Sequence, residues 1–229
     1  YRLKAEAVHY ILETNDARKK FSFTCAVSMS SLSVVSNTFN SIYTLPFQYK
    51  GIIKDSGTFK LLVLSAYYPH KNLDIINHVV ELMPKDLDYT FYLTLPDDIY
   101  RRRFCDTRNV VNLGVQHISN CPEIISTSDA VFLPTLLETF TAVYPEAMVM
   151  GKPILTSNYG FAKDVCGDAA EYFDPLDAEN IRDKIVLVAR DRDRYEELVR
   201  LGKKRVEIFP SANERAKEYI NIIKKVINE

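Results

Sequence analysis

Two glutamates in the segment from 130 to 157 carry the strongest chemical signal in this sequence. Glu138 follows an apolar run, and Glu146 lies in a helical pattern, with seven residues between them. A carboxylate accepts hydrogen bonds from both members of a vicinal hydroxyl pair, the arrangement found in sugars and in ribose. The pair therefore predicts two hydroxyl-binding carboxylates.

The residues between the glutamates predict an anion site. Pro145 suits the first turn of a helix, and Gly151 suits the position just after its last turn. Amides around 140–143 would then be unpaired at the start of this helix, where anions bind. Each glutamate alone also fits a simpler role, as a solvated loop charge or a helix-dipole carboxylate. The apolar runs on both sides of the pair make the ligand-binding interpretation more specific.

Short apolar runs alternate with helical patterns from Phe59 onward. Their apolar character is continuous, which is typical of strands buried on both faces. Strands joined by helices predict right-handed crossovers and a parallel sheet covered on both sides. The expected fold class is therefore α/β and Rossmann-like, with strands at 60–65, 89–95, 109–113, 130–134, 153–157 and 170–173.

The ends of the chain depart from this alternation and suggest three parts. Residues 1–46 are predicted to be the tail of a preceding domain and a linker, and 47–205 the Rossmann-like domain. Residues 206–229 are predicted to form a C-terminal helix. The chain begins with Tyr1 instead of Met, so we expect a fragment of a longer protein.

The composition excludes several classes of function. With 29 basic and 30 acidic residues, the net charge of -1 gives no electrostatic surface for nucleic acid. No G-x-G-x-x-G follows a strand, which disfavours a dinucleotide-dependent oxidoreductase. No apolar run is long enough for a membrane span. The thiols show no zinc-binding spacing, which predicts a reduced, cytoplasmic protein with no metal; they are Cys25, Cys105, Cys121 and Cys166.

The segment around the two glutamates resembles family-4 retaining glycosyltransferases. The resemblance lies in Glu138-x-Phe140-x4-Pro145-Glu146, followed by Gly151-Lys-Pro, and it extends over roughly residue 34 to the C-terminus. It implies the two-domain GT-B fold. This chain would be the donor-binding C-terminal domain, with most of the N-terminal acceptor domain missing.

The resemblance also implies roles for individual residues. Glu138 and Lys71 are the catalytic candidates: Glu138 would hold the hydroxyls of the transferred sugar, and Lys71 would neutralise the diphosphate. Glu146 would bind the ribose. The other donor-binding candidates lie in loops after the first, third and fourth strands of the sheet; they are Ser65, Val115, Gln116, Phe140, Thr141 and Ala142.

Two departures from the family pattern stand out. Ser65 and Ala66 replace a common Gly-Arg pair, so an arginine that would share the diphosphate charge is missing. Thr139 and Thr141 replace glycines, which narrows the allowed backbone conformations and adds hydroxyls. Because both glutamates and Lys71 remain, we expect a divergent subgroup with its own donor.

The implied activity is transfer of a sugar from a nucleoside diphosphate sugar, with retention and without a metal or cofactor. Acceptor groups would come from the missing domain, so this chain is predicted not to transfer sugar alone. The resemblance implies a cytoplasmic enzyme of polysaccharide synthesis, with peripheral association of the full protein at the inner membrane face as a further expectation.

Two alternatives stay open. One is a sugar-nucleotide epimerase on the same fold, with His70 and His117 as acid and base. The other is a non-catalytic nucleotide-sugar-binding module. The sequence does not predict which base, sugar or acceptor is used.

Overall fold

The computed structural model describes residues 9–104 and 109–228, which leaves Cys105 outside the described residues. The described chain begins with a small βαβ unit. Strands β1 (Tyr10–Leu12) and β2 (Leu32–Val34) pair in parallel, and helix α1 (Asn15–Cys25) connects them. Thr14 caps α1 by accepting a hydrogen bond from the amide of Ala17 at 3.1 Å.

A six-stranded, wholly parallel sheet forms the centre of the molecule. The predicted α/β fold class is confirmed, with strands that are one or two residues shorter than the apolar runs. The strands are β3 (Phe59–Val63), β4 (Tyr89–Leu93), β5 (Val110–Asn112), β6 (Ala130–Leu133), β7 (Ile154–Ser157) and β8 (Glu171–Phe173).

Helices cover both faces of this sheet. Leu61 belongs to one hydrophobic cluster and its neighbour Leu62 to the other, because successive side chains of a strand point to opposite faces. The helices are α2 (Ile75–Leu82), α3 (Asp97–Arg103), α4 (Cys121–Thr127), α5 (Val143–Val149), α6 (Gly160–Cys166), α7 (Ala178–Arg190), α8 (Arg192–Arg205) and α9 (Ala212–Asn228).

The strand order places a crevice between β3 and β6. The sheet runs β5-β4-β3-β6-β7-β8, so the chain proceeds outward in one direction from β3 and in the other from β6. In sheets of this kind, ligands bind beyond the carboxyl ends of the strands at this point of reversal. The loops after β3 and β6 are therefore the ones that position a site.

A buried carboxylate holds the segment that leads into β3. Glu123 of α4 is 1% exposed. Its two carboxylate oxygens accept hydrogen bonds from the amides of Lys50 and Ile52, each at 2.9 Å. One side chain therefore accepts hydrogen bonds from two backbone amides that lie outside any strand or helix.

The helix predicted over residues 206–229 begins only at Ala212 in the structure. Helix α8 ends at Arg205, and a 3-10 turn follows over Val206–Ile208. Ser211 and Glu214 cap α9 reciprocally, since each backbone amide donates to the other's side chain, at 2.8 and 3.3 Å.

Helix α9 carries a stripe of isoleucines on an exposed face. Ile220, Ile223 and Ile227 are 49%, 50% and 76% exposed. Within the described ranges, no helix combines the length and the apolar character needed to cross a membrane.

Candidate functional site

Lys71 and Glu138 meet across the crevice between β3 and β6. Lys71 follows β3 and Glu138 follows β6, and the Lys71 Nζ donates a close hydrogen bond to Glu138 Oε1. Their side chains are 20% and 15% exposed, so the pair is largely but not wholly shielded from water. The structure thus brings together the two residues predicted to be catalytic.

Local backbone geometry places Lys71 at this edge. Lys71 ends a 3-10 turn, Pro69–Lys71, and Asn72 follows in the left-handed region with φ 54°. The Asn72 side-chain amide donates to the carbonyl of Pro175 at 2.7 Å, which fixes the turn. The left-handed residue stops helix propagation, so α2 begins only at Ile75.

The loop of Glu138 is bound directly to the loop of Lys71. The carbonyl of His70 accepts hydrogen bonds from the amide of Leu136 at 2.7 Å and the hydroxyl of Thr135 at 3.1 Å. The two loops therefore form one connected edge of the crevice. The backbone hydrogen bonds already hold the two loops side by side, and the Lys71–Glu138 ion pair adds a side-chain contact between them.

Two buried hydroxyls at this edge lack a partner. Thr141 Oγ1, just before α5, and Ser157 Oγ, at the end of β7, are shielded from water without a hydrogen bond to any described residue. Buried hydroxyls in folded proteins are nearly always paired with protein, water or ligand. Phe140 is also buried and Ala142 is half-buried, so the segment before α5 is packed in place.

Glu146 lies on α5 next to Tyr43, which comes from the N-terminal part of the chain. It is 8% exposed on α5, and the hydroxyl of Tyr43 is its hydrogen-bond partner. Burial raises the pKa of the Glu146 carboxyl, and the Tyr43 hydrogen bond acts in the opposite direction. Burial and the Glu146 charge raise the pKa of Tyr43, so its phenol stays protonated and donates.

The remaining predicted donor-binding residues lie in neighbouring loops. The Ser65 amide donates to the hydroxyl of Thr94 at 3.4 Å, after β4. Val115 is 72% exposed, next to Gly114 with φ 71°. The Gln116 side-chain amide donates to carbonyls of its own turn. Gln116 therefore shapes this loop, whereas Val115 presents an exposed apolar side chain.

Sequence reasoning missed the contacts that come from the first 46 residues. Tyr43 reaches Glu146 from the 3-10 turn Ser41–Thr44, and both Glu13 and Thr14 contact Thr139 beside Glu138. None of these residues belongs to a motif. Only their position in the folded chain connects them to the site.

The described ranges contain no group of three or more His, Cys, Asp and Glu side chains placed to hold a metal ion.

Three solved structures illustrate the similarity of fold. A glycosyltransferase from Rickettsia africae ESF-5 is 15% identical, with a TM-score of 0.80, and the match covers 97% of this chain and 64% of that one. HepE from Anabaena, solved with UDP and glucose, is 15% identical with a TM-score of 0.78, over 95% and 63% of the two chains. Sucrose-phosphate synthase from Thermosynechococcus elongatus is 14% identical with a TM-score of 0.78, over 99% and 61%.

These matches define the fold and the extent of the similarity. The chain spans less than two thirds of the length of each of these three structures, and its fold is the Rossmann-like architecture of GT-B proteins. No curated protein sequence matches it significantly. The family model described as glycosyl transferases group 1 matches residues 47–205, which is more than half of the chain. The chain therefore belongs to the glycosyl transferases group 1 family.

Proposed function

We propose that this chain binds a nucleoside diphosphate sugar and is the donor-binding part of a glycosyltransferase. The observation that carries the proposal is the Lys71–Glu138 pair at the point where the strand order reverses. A cation and a carboxylate side by side fit a ligand that has a diphosphate next to a hydroxyl-bearing ring.

The two residues have complementary roles in the transfer. In the transfer, the anomeric carbon of the sugar forms a bond to the acceptor, which gives up a proton, and its bond to the diphosphate breaks. The diphosphate leaves with the electron pair and gains negative charge. In this proposal Lys71 stabilises that charge, together with amides before α5. Glu138 accepts hydrogen bonds from the sugar hydroxyls and orients the ring. Transfer with retention and without a metal is the form of the reaction that the family-4 resemblance supports.

Similar structures support a nucleoside diphosphate as the ligand. HepE has been solved with UDP and with UDP-glucose. The unpartnered hydroxyls of Thr141 and Ser157 lie at the same sheet edge in this chain. They supply hydrogen-bonding groups that a bound ligand can satisfy.

The epimerase alternative receives less support from the structure. The ring of His117 accepts a hydrogen bond from the Ser119 amide at 3.3 Å and caps the turn Ile118–Asn120. The ring of His70 stacks on Tyr68, with centroids 5.7 Å apart. Each imidazole therefore has a local structural contact.

Binding is tested by a thermal-shift panel of UDP-, GDP-, ADP- and TDP-glucose, each with its nucleoside diphosphate. A ligand that binds only the folded chain raises the melting temperature by mass action. We expect at least one sugar nucleotide to shift it more than its own diphosphate does. No shift with any of the four pairs would refute donor binding by this chain.

Glycosyl transfer by the purified chain alone would contradict the proposed need for an acceptor domain.

Replacing Glu138 with glutamine should raise the affinity for nucleoside diphosphates and lower the additional affinity that the sugar contributes. In the free chain Glu138 competes with phosphate for Lys71, so its loss should tighten nucleoside diphosphate binding about two- to ten-fold. The additional affinity contributed by the sugar should fall. Calorimetric titration of both ligands measures the two effects, with the exposed Glu81→Gln as the matched control.

A binding module that recognises only the nucleotide would behave differently. In that case, Glu138→Gln would leave the ratio of the two affinities unchanged. Such a result would favour the non-catalytic alternative over the transferase.

Replacing Thr141 with valine should separate stability from binding. Its hydroxyl is buried and unpartnered, so a methyl group in its place should leave the melting temperature unchanged or raise it by about 1–5 °C. Nucleotide affinity should fall about three- to ten-fold, because the ligand loses a hydrogen bond.

Thr156→Val provides the matched control for Thr141→Val. The Thr156 hydroxyl is buried and bonded to the Leu133 carbonyl at 3.0 Å and to the Tyr144 hydroxyl at 2.7 Å. This variant should lose stability. A Thr141→Val variant that is equally destabilised would show that its hydroxyl has a partner in the free chain.

A further inference from the structure

The N-terminal βαβ unit is hydrogen-bonded to the loop that carries Glu138. The hydroxyl of Thr14 donates to the carbonyl of Thr139 at 3.0 Å. The hydroxyl of Thr139 donates to Glu13 Oε2, also at 3.0 Å. Thr139 is adjacent to Glu138 in the chain, so these two bonds restrain the backbone on one side of the sugar-binding candidate.

Glu13 and Thr14 are themselves held in place. Glu13 Oε1 lies 3.5 Å from the guanidinium of Arg215 in α9, with both side chains under one third exposed. Thr14 accepts the capping hydrogen bond from Ala17 of α1. Both residues follow β1 directly, so the restraint on Thr139 comes from a folded element.

The same unit also packs closely against α6. The backbone amide of Asp16 donates to the carboxylate of Asp164. A Cβ added to Gly160 would meet the carboxylate of Asp16, so a side chain at this position of α6 would displace the Asp16 side chain of α1. The βαβ unit is thereby anchored at a second place beside the loop.

We infer that Glu13 and Thr14 are positioning residues for Glu138. This inference rests on the proposed function. By fixing Thr139, they hold Glu138 where it meets the sugar before any ligand arrives, which lowers the entropy lost on binding. Lys71 lies on the other loop and neither Glu13 nor Thr14 is bonded to it, so recognition of the diphosphate should depend on them less than recognition of the sugar does. Sugar discrimination by the donor domain therefore depends on side chains from outside that domain.

The test compares Thr139→Val, Thr139→Ser and Glu13→Ala in the full 229-residue chain. Valine keeps the shape of threonine and removes the hydroxyl, whereas serine keeps the hydroxyl. Thr139→Val and Glu13→Ala should each reduce the affinity ratio of sugar nucleotide to nucleoside diphosphate by about three- to ten-fold. The affinity for the nucleoside diphosphate alone should change less than two-fold, which is about the size of the deviations seen between mutations at distant, independent sites. Thr139→Ser should restore the ratio.

A double-mutant cycle distinguishes a direct contact from two separate effects. If Glu13 acts through Thr139, the double variant should lose no more of the ratio than either single variant does. Additive losses would overturn the proposed pathway. Thr44→Val, which removes an exposed hydroxyl bonded only within its own turn at 2.8 Å, is the control and should leave the ratio unchanged.

Amide hydrogen exchange gives a second readout that needs no ligand. Exchange at residues 136–141 of the free chain should accelerate in Thr139→Val and Glu13→Ala, and not in Thr139→Ser. Unchanged exchange together with an unchanged affinity ratio would overturn the inference while leaving donor binding intact. If the wild-type chain binds none of the four sugar nucleotides, the proposed function fails and this inference fails with it.

Discussion

Replacing Lys71 with methionine is expected to weaken binding of nucleoside diphosphates and their sugar conjugates alike, by about ten- to hundred-fold. Lys71 is the cation that the structure places beside Glu138 at the edge of the crevice. Ala66 stands where the family pattern commonly has an arginine, so Lys71 has no arginine at that position to share the charge. Methionine keeps most of the apolar stem and removes the charge.

Calorimetric titration at two ionic strengths measures this loss and its origin. Wild-type affinity should fall as salt rises, because salt screens the attraction between Lys71 and phosphate. The Lys71→Met variant should show a flatter salt dependence. The exposed Lys85→Met is the matched control, since it removes the same charge away from the crevice. Equal losses in both variants would mean that net charge, and not the Lys71 position, controls binding.

The largest expected effect on stability belongs to Glu123. Replacing it with alanine should lower the free energy of unfolding by about 2–4 kcal/mol, because two backbone amides lose hydrogen bonds to a charged, buried acceptor. These donors are the amides of Lys50 and Ile52, each 2.9 Å from a Glu123 oxygen. Urea denaturation with linear extrapolation gives the difference.

Glu123→Gln is the informative companion variant. Glutamine keeps one acceptor oxygen, so about half of the loss should be recovered. Glu81→Ala, at an exposed position on α2, should change stability by less than about 0.5 kcal/mol. If Glu123→Ala unfolds at the same urea concentration as the wild type, the two amides do not depend on this carboxylate.

Local pattern was sufficient to predict the elements of the sheet. The run at 130–134 became β6 and the run at 153–157 became β7, each buried throughout as its continuous apolar character indicated. Gly151 has φ 65°, as its predicted place after a helix requires. These features depend on neighbouring residues along the chain, so short segments contain the necessary information.

The 3-10 turn Pro69–Lys71 shows where the local sequence pattern was insufficient to predict the backbone. Lys71 lies in a 3-10 turn, and the helix that follows it begins only at Ile75. The left-handed Asn72 is stabilised by a hydrogen bond to Pro175, more than 100 residues away. A contact over that separation leaves no trace in the local helical periodicity.

The sequence by itself determined the α/β fold class and the candidate residues Lys71 and Glu138. Only the tertiary structure decided that these two side chains form an ion pair, that Tyr43 bonds to Glu146, and that Glu13 bonds to Thr139. Each of these contacts joins residues far apart in the chain. Their geometry depends on how the sheet edge, the turn that carries Tyr43 and the N-terminal unit pack together, and the periodicity of a single segment contains no information about that packing.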